Sequence, residues 1–278
     1  MKRRALKRKK KRNWGWLKWF GLAVLLLITG YSVFFFQTKY WNSNGKLAVV
    51  ESYGLEVLIS LFDSKASNYV EIIIPGNTQV LTAYGLGTWK LGSLWKLGTD
   101  EKIGGSLITR TVAKNFGFPL FIWQDALSIG DKLRIGIFKF TNRNNKETIF
   151  LKETACLKKT VFLDGEEGYL VNNDVPEKIS SLFSDQKEFG NVLNAKIIDY
   201  SGSYNISNSV GTIIETMGIK VASISKNSGF GSDCKVLGKN RGLVKKVALL
   251  LGCSQTEVKE SGVFDLEISL GKKFVQQF

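Results

Sequence analysis

Histidine is absent from this 278-residue chain, and cysteine, proline and methionine are scarce, at three, three and two residues. Without histidine the chain cannot form a Ser-His-Asp triad, a Cys-His dyad or a histidine metal site. Three cysteines cannot build an all-thiolate zinc site, and three prolines exclude a proline-rich linker protein. An apolar fraction of 44% argues against global disorder. We therefore predict no metal site and no cofactor.

Acidic residues are missing before Glu51, and this absence makes the charge uneven. The chain has 39 Lys and Arg against 24 Asp and Glu, a formal net charge of +15. Nine basic residues lie within 2–12 and Lys18 is a tenth, which leaves 29 basic and 24 acidic groups, a net charge of +5, for the rest. The basic character is mainly a property of the N-terminus.

Residues 19–36 form an uncharged, largely apolar run directly after the basic segment. As a helix these residues extend about 27 Å, close to the ~30 Å hydrocarbon thickness of a bilayer. We predict a basic cytoplasmic tail over 1–12, a transmembrane signal-anchor helix over 13–37, and an extracytoplasmic remainder at the cell membrane. Aromatic residues flank the run on both sides, as in interfacial belts: Trp14, Trp16, Trp19, Tyr40 and Trp41.

Two other interpretations of the N-terminus compete with an anchor. A cleaved signal peptide has a shorter apolar region and a small-residue cleavage site, whereas this run ends in three phenylalanines over 34–36. A basic tail could bind nucleic acid, but here it adjoins the apolar run, where basic residues set topology and bind anionic lipid. We expect membrane lipid, and not nucleic acid, as its partner.

The region 194–278 has the clearest secondary-structure pattern. Strands are predicted over 195–200, 220–224, 234–237 and 264–270. The order β-α-β-β-α-β is that of the split βαβ, ferredoxin-like fold, with both helices on one face of a single sheet. Apolar residues at i, i+3, i+4 and i+7 predict the two helices: Val210, Ile213, Ile214 and Met217, then Val244, Val247, Ala248 and Leu251.

Short motifs in this region carry a family resemblance. They are Asp-Tyr-Ser-Gly at 199–202, Met-Gly-Ile at 217–219, Leu-Leu-Gly at 250–252 and the last strand with its continuation at 265–274. With these motifs the region resembles the C-terminal domain of LytR-type envelope proteins. That family more often has a Gly-Leu-Ala-like run where this chain has Ser-Asn-Ser at 207–209. The resemblance implies a binding or accessory role.

The membrane-proximal region begins with apolar strands over 55–62 and 68–74 and a turn at 75–78. Glycines at 104–105 precede a predicted helix that ends at Gly117, and the Pro119-containing segment 118–123 reads as an edge strand. With the Ile-Pro-Gly-Asn-Thr sequence of 74–78, residues 47–125 resemble a reduced LytR-CpsA-Psr catalytic domain. Such proteins face outward, bind a polyprenyl-pyrophosphate glycolipid and transfer the glycopolymer to the cell wall.

The resemblance implies a degenerate site at Gly76, Asn77 and Thr78. The arginine and aspartate of the family turn fall on Gly76 and Asn77, which are poor partners for phosphate and a divalent ion. The family's further arginines have no counterpart in 126–192, a region whose structure the sequence leaves open. We therefore assign no catalytic residue.

The unit Trp-Lys-Leu-Gly occurs at 89–92 and again at 95–98. Its aromatic and basic side chains could line a groove for sugars or lipid phosphate, or could simply pack on the sheet. The candidate groove residues are Trp89, Lys90, Trp95, Lys96 and Arg110.

The three cysteines permit one disulfide. Cys234 and Cys253 lie 19 residues apart at the ends of two predicted elements, and a bridge between them could persist outside the cytoplasm. Three buried thiols are the alternative, and Cys156 is the expected odd cysteine.

We place the domains at 38–190 and 191–278, for an α/β (α+β) protein overall.

Three functions remain open. The first is a membrane-anchored envelope protein that binds a polyprenyl-linked glycan or cell-wall polymer without transferring it. The second is an active glycopolymer phosphotransferase with arginines at unfamiliar positions. The third is a scaffold that binds other envelope proteins.

Overall fold

The computed structural model describes residues 14–35, 40–41, 45–120, 122–172, 175–184, 192–229, 233–257 and 263–278. The basic tail predicted over 1–12 and the domain boundary predicted near 190 lie outside these residues. The described chain is an α/β protein with three mixed sheets, which confirms the predicted fold class.

The first helix, α1 (Trp14–Phe35), covers most of the predicted membrane anchor. Its side chains are exposed at every position from Lys18 to Tyr31, so no described part of the protein covers it. Within the described residues, no helix combines the length and the apolar character that crossing a membrane requires.

Five strands form the main sheet of the first module: β1 (Lys46–Tyr53), β2 (Glu56–Asp63), β3 (Asn68–Ile74), β6 (Ile122–Trp123) and β7 (Lys146–Phe150). The order is β6-β1-β2-β3-β7, antiparallel in the centre and parallel at both edges. The predicted strands 55–62 and 68–74 are confirmed, and the predicted edge strand shortens to β6. The sequence analysis missed β1, whose residues 47–50 are all buried and so do not alternate.

Four strands form a smaller sheet in the order β5-β4-β9-β8: β4 (Thr78–Leu81), β5 (Thr88–Lys90), β8 (Leu157–Val161) and β9 (Glu167–Val171). Helices α2 (Leu94–Asp100), α3 (Ser106–Phe116) and α5 (Glu177–Phe183) share one apolar core with this sheet and one face of the main sheet. The described part of the region 126–192, which the sequence left open, therefore belongs to the first module.

Helix α4 (Ile129–Thr141) covers the opposite face of the main sheet through Ile135 and Phe138. The sequence left this segment open between helix and strand. A capping box stabilises the start of this helix. The Ser128 hydroxyl accepts from the backbone N–H of Asp131, and the Asp131 carboxylate accepts from the backbone N–H of Ser128.

The described part of the second module contains five strands and three helices: β10 (Asn194–Asp199), α6 (Ile206–Thr216), β11 (Lys220–Lys226), β12 (Lys235–Gly238), α7 (Arg241–Leu251), β13 (Ser254–Glu257), β14 (Leu266–Leu270) and α8 (Lys272–Gln277). Helices α6 and α7 share one core with the sheet, which places both on the same face as predicted.

The ferredoxin-like topology predicted for this module is wrong. The sheet order is β11-β10-β14-β12-β13, so each βαβ unit pairs its own two strands directly and in parallel. The sequence analysis missed β13, a four-residue polar strand at the edge. Because β13 completes the second βαβ unit, the last strand β14 is left to pair with β10 and β12 between the two units.

Candidate functional site

The turn from β3 to β4, which contains the degenerate family motif, has no room for a side chain at Gly76. A Cβ atom there would lie 1.7 Å from the backbone oxygen of Leu55 and 3.3 Å from Cα of Gly92. The Gly92 N–H also donates to the Gly76 carbonyl at 2.8 Å. An arginine at this position would require the backbone to move.

The next two residues of the turn have structural roles. Asn77 donates through Nδ2 to the carbonyl of Glu167 at 2.9 Å, and its own carbonyl accepts from the N–H of Tyr169. Thr78 is buried, and its hydroxyl has no hydrogen-bond partner among the described residues. The turn thereby joins β4 to β9, and it presents no charged group.

Trp89 and Lys90 lie on the edge strand β5. Trp89 is exposed and donates its indole N–H to the carbonyl of Leu86 at 2.8 Å. The amine of Lys90 pairs with Glu166, and with Asp164 at 3.7 Å. The hydrogen bond to Glu166 raises the pKa of Lys90. The charge of Lys90 is thus balanced within the protein.

The other three candidate groove residues lie in different environments. Trp95 packs against the first core, and its buried indole N–H has no partner among the described residues. Lys96 is exposed on α2. Arg110 faces the second module, where it lies near Gln277 and Gly252. None of the five candidates lines the two cavities that lie between the modules.

A cleft of about 320 Å³ lies between the two modules. Its walls are the C-terminal end of α3 and the N-terminal half of α6, with Val175 from the segment before α5. A second cavity between the modules holds only about 20 Å³. The lining of the larger cleft is polar with one aromatic ring: Lys114, Asn115, Phe116, Gly117, Val175, Asn205, Asn208, Ser209 and Thr212.

The α3 wall of this cleft contains one amine and one fixed amide. Lys114 donates to the carbonyl of Thr82 at 3.3 Å, and its partial burial lowers the pKa of the amine. Asn115 donates to the carbonyls of Leu81 and Thr111 at 2.8 and 2.7 Å, and it accepts from the Leu81 N–H. The hydrogen bonds of Asn115 therefore fix the position of this end of α3, and Lys114 gives this wall of the cleft its positive charge.

The α6 wall contains amides and hydroxyls. Asn205 occupies the position before the helix, but its side chain makes no capping hydrogen bond. Asn208 is exposed, and its side chain makes no hydrogen bond within the described residues. Thr212 donates to the carbonyl of Asn208 at 3.2 Å. The side chains of Asn205 and Asn208 therefore line the cleft without a hydrogen bond to the described part of the chain.

Sequence reasoning missed this cleft, because its two walls are about 90 residues apart in the chain and meet only when the modules dock. The departure from the family pattern at 207–209 was the one sequence signal near it. Among the described residues, no group of three or more Cys, Asp and Glu side chains is placed to hold a metal ion.

The structure joins Cys234 to Cys253 in a disulfide with a Cα–Cα distance of 4.8 Å. The bridge connects the residues that immediately precede β12 and β13 at the edge of the second sheet. Cys156 lies buried in the first core, outside any disulfide.

No protein-family model matches this chain, and no curated protein matches it either. The likeness to LytR-CpsA-Psr proteins therefore rests on the short motifs of the sequence alone.

Proposed function

We propose that this protein is a membrane-anchored, extracytoplasmic envelope protein of LytR-CpsA-Psr type. It binds a polyprenyl-phosphate-linked glycan or cell-wall polymer in the cleft between its modules and does not transfer it. The observation that carries the binding role is the cleft itself. Its volume of about 320 Å³ lies at the lower end of the range for small-ligand sites, ~300–1,000 Å³.

The chemistry of the cleft suits a sugar next to a phosphate. The side-chain amides of Asn205 and Asn208 line the cleft and can each donate to and accept from sugar hydroxyls. The Lys114 amine lies on the opposite wall, where a positive charge can pair with a phosphate oxygen. A neutral polar surface facing a single cation fits a glycan phosphate better than a strongly charged ligand.

The turn at Gly76 supports binding without transfer. Phosphoryl transfer requires positive charge placed on the transferring group. The Leu55 carbonyl leaves no space for a side chain at Gly76, and the Asn77 side chain donates a hydrogen bond to the Glu167 carbonyl of β9. These contacts favour the binding role over the phosphotransferase alternative.

The sequence and the first helix support the membrane anchor. The side chains of α1 from Phe20 to Tyr31 are exposed and largely apolar, and no described part of the protein covers them. The basic run before it favours a cytoplasmic N-terminus. The anchor proposed over 13–37 includes residues 13, 36 and 37, which lie outside the described part of the chain.

The test is to extract the full-length protein in mild detergent and to identify co-purifying lipids and glycans by mass spectrometry. We expect a stoichiometric polyprenyl phosphate or pyrophosphate that carries sugar. Thr212→Trp, which fills the cleft, should remove this ligand. Lys96→Met, an exposed site outside the cleft, should retain it.

Two results would contradict the proposal. Bulk phospholipid alone would exclude a bound glycolipid and would favour a scaffold for envelope proteins. Ligand loss in Lys96→Met with retention in Thr212→Trp would move the site to the tryptophan-lysine segment and away from the cleft.

A further inference from the structure

Helix α4 presents an apolar stripe to solvent, on the side opposite to the side that it buries. The stripe residues are exposed by 57%, 43%, 55% and 75% respectively: Ile129, Leu133, Ile137 and Phe140. The buried side of the same helix is formed by Asp131, Ile135 and Phe138. Exposed apolar side chains in such a continuous row indicate a contact surface.

The helical geometry separates these two sides completely. At about 100° per residue, the four stripe residues fall within an arc of about 80°. The centre of that arc lies about 170° from the centre of the positions of Asp131, Ile135 and Phe138. Gly130 is also buried and lies next to the arc, but it has no side chain. The main sheet therefore cannot cover the stripe, and its apolar character has no role in the described core.

Basic residues border the stripe. Lys132 lies on one side of the arc and Arg134 on the other, and both are exposed. Arg143, also exposed, follows just after the end of α4. The one acidic residue of α4, Asp131, is fully buried on the inner side. An apolar stripe bordered by basic residues is typical of helices that lie in a membrane interface.

The chain connects α4 closely to the apolar helix α1. The backbone N–H groups of Tyr40 and Trp41 donate to the Asp131 carboxylate at 3.2 and 3.1 Å. Trp41 is buried, with its ring centroid 5.3 Å from that of Phe138. Five residue steps from Phe35 to Tyr40 span at most about 18 Å. The end of α1 therefore lies at most about 18 Å from Tyr40. Tyr40 in turn contacts the first turn of α4 through Asp131.

We propose that the stripe of α4 lies in the surface of the membrane that α1 enters and holds the first module against an anionic bilayer. This inference rests on the membrane anchor proposed above. The short connection places α4 near the bilayer, and the charges of the exposed Lys132 and Arg143 complement anionic headgroups. A bilayer surface thus accounts for the apolar stripe, its basic border and its position in the chain together.

A fluorescent label on α4 tests the inference in the full-length protein. Leu133→Cys is labelled with an environment-sensitive dye, since the native cysteines are buried or disulfide-bonded. The protein is reconstituted in vesicles of phosphatidylglycerol and phosphatidylcholine, with and without bromine on the acyl chains. We expect the emission of the dye to shift to shorter wavelength in the vesicles. Brominated lipid should quench this emission.

Two controls define the contribution of the stripe. The same dye at Tyr204→Cys, an exposed site in the second module, should show neither effect. With Ile137→Glu and Phe140→Glu added to the Leu133→Cys protein, the dye should show the emission wavelength of an aqueous environment and no quenching by bromine. Both positions are exposed, so the fold should persist, as a circular dichroism spectrum checks.

Alkaline carbonate extraction separates failure of the stripe from failure of the anchor. A protein that resists extraction while the Leu133 dye stays in water would overturn the inference and leave the anchor intact. A dye that is shielded but insensitive to bromine would also overturn it, since a protein surface would then cover the stripe. An extractable protein would overturn the anchor, and with it the inference.

Discussion

Gly117 ends α3 directly against Thr212 of α6, which joins the two modules at the base of the cleft. A Cβ atom on Gly117 would lie 2.8 Å from Cγ2 of Thr212. Gly117 also has a φ of +69°, a left-handed conformation that ends the helix. The same glycine therefore ends α3 and allows the two modules to pack closely.

Gly117→Ala should destabilise the protein for two separable reasons. The left-handed conformation costs about 1 kcal/mol with a side chain, and the contact with Thr212 adds about 1–3 kcal/mol. Urea denaturation measures the total. Thr212→Ala removes Cγ2, so in the double variant only the conformational part should remain. Simple additivity of the two substitutions would contradict the steric contact.

Gly76→Ala should also destabilise the protein, by about 1–3 kcal/mol or more, because its Cβ would overlap the carbonyl of Leu55. Gly136→Ala on α4 is the matched control. A Cβ there meets nothing within 4 Å, and alanine should stabilise the helix by up to about 1 kcal/mol. Equal effects of the two substitutions on the free energy of unfolding would exclude the tight turn.

Asp131→Ala should be among the more damaging single substitutions in the first module. Its fully buried carboxylate accepts from the backbone N–H groups of Tyr40, Trp41 and Ser128. Leaving these donors unpaired should cost about 3 kcal/mol or more. Ser128→Ala removes the cap of α4 and one hydroxyl donor to the Asp131 carboxylate but leaves the three backbone donors paired, so it should cost less, about 1–2 kcal/mol. Denaturation that ranks Ser128→Ala as the more costly change would contradict this role of Asp131.

The stability contribution of Lys114 should depend on pH. Burial lowers the pKa of its amine below the ordinary 10.5, so between these two values the unfolded chain binds more protons. The unfavourable contribution is therefore complete at neutral pH and disappears as the pH rises towards 10.5. The stability of Lys114→Gln relative to the parent protein should fall over that range.

Urea denaturation of both proteins from neutral pH to about pH 10.5 measures this difference. Lys96→Gln, at an exposed site, corrects for the loss of one positive charge. A difference between Lys114→Gln and the parent protein that stays constant with pH would contradict the lowered pKa.

Reduction of the Cys234–Cys253 disulfide should destabilise the second module by about 3 kcal/mol, the value expected for closing a loop of this length. Thermal unfolding with and without a phosphine reductant measures the effect. Cys234→Ala/Cys253→Ala should unfold at the same temperature in both conditions. A parent protein whose unfolding temperature is unchanged by the reductant would show that the bridge adds no stability.

Much of the candidate site depended on contacts that sequence patterns do not encode. Arg110, one of the candidate groove residues, faces the second module near Gln277. Lys90 is another candidate, and the turn before β9 brings Asp164 and Glu166 to its amine. Both positions depend on which distant segments pack together, and no local spacing of residues specifies that.

The sequence by itself determined the elements with a strong local pattern. Helices α3, α6 and α7 follow their apolar periodicity, and α3 and α7 end where Gly117 and Gly252 adopt left-handed conformations. Such signals are local because a helix hydrogen-bonds within itself, and one face of the helix repeats along the chain.

Only the tertiary structure decided the order of strands and the position of the cleft. The polar segment of β13 is a strand because β12 pairs with it, and that pairing places β14 between the two βαβ units. The cleft exists because α3 and α6 meet across the two modules. Pairing and docking join segments that are far apart in the chain, so the free energy that selects them comes from contacts that no short stretch of sequence contains.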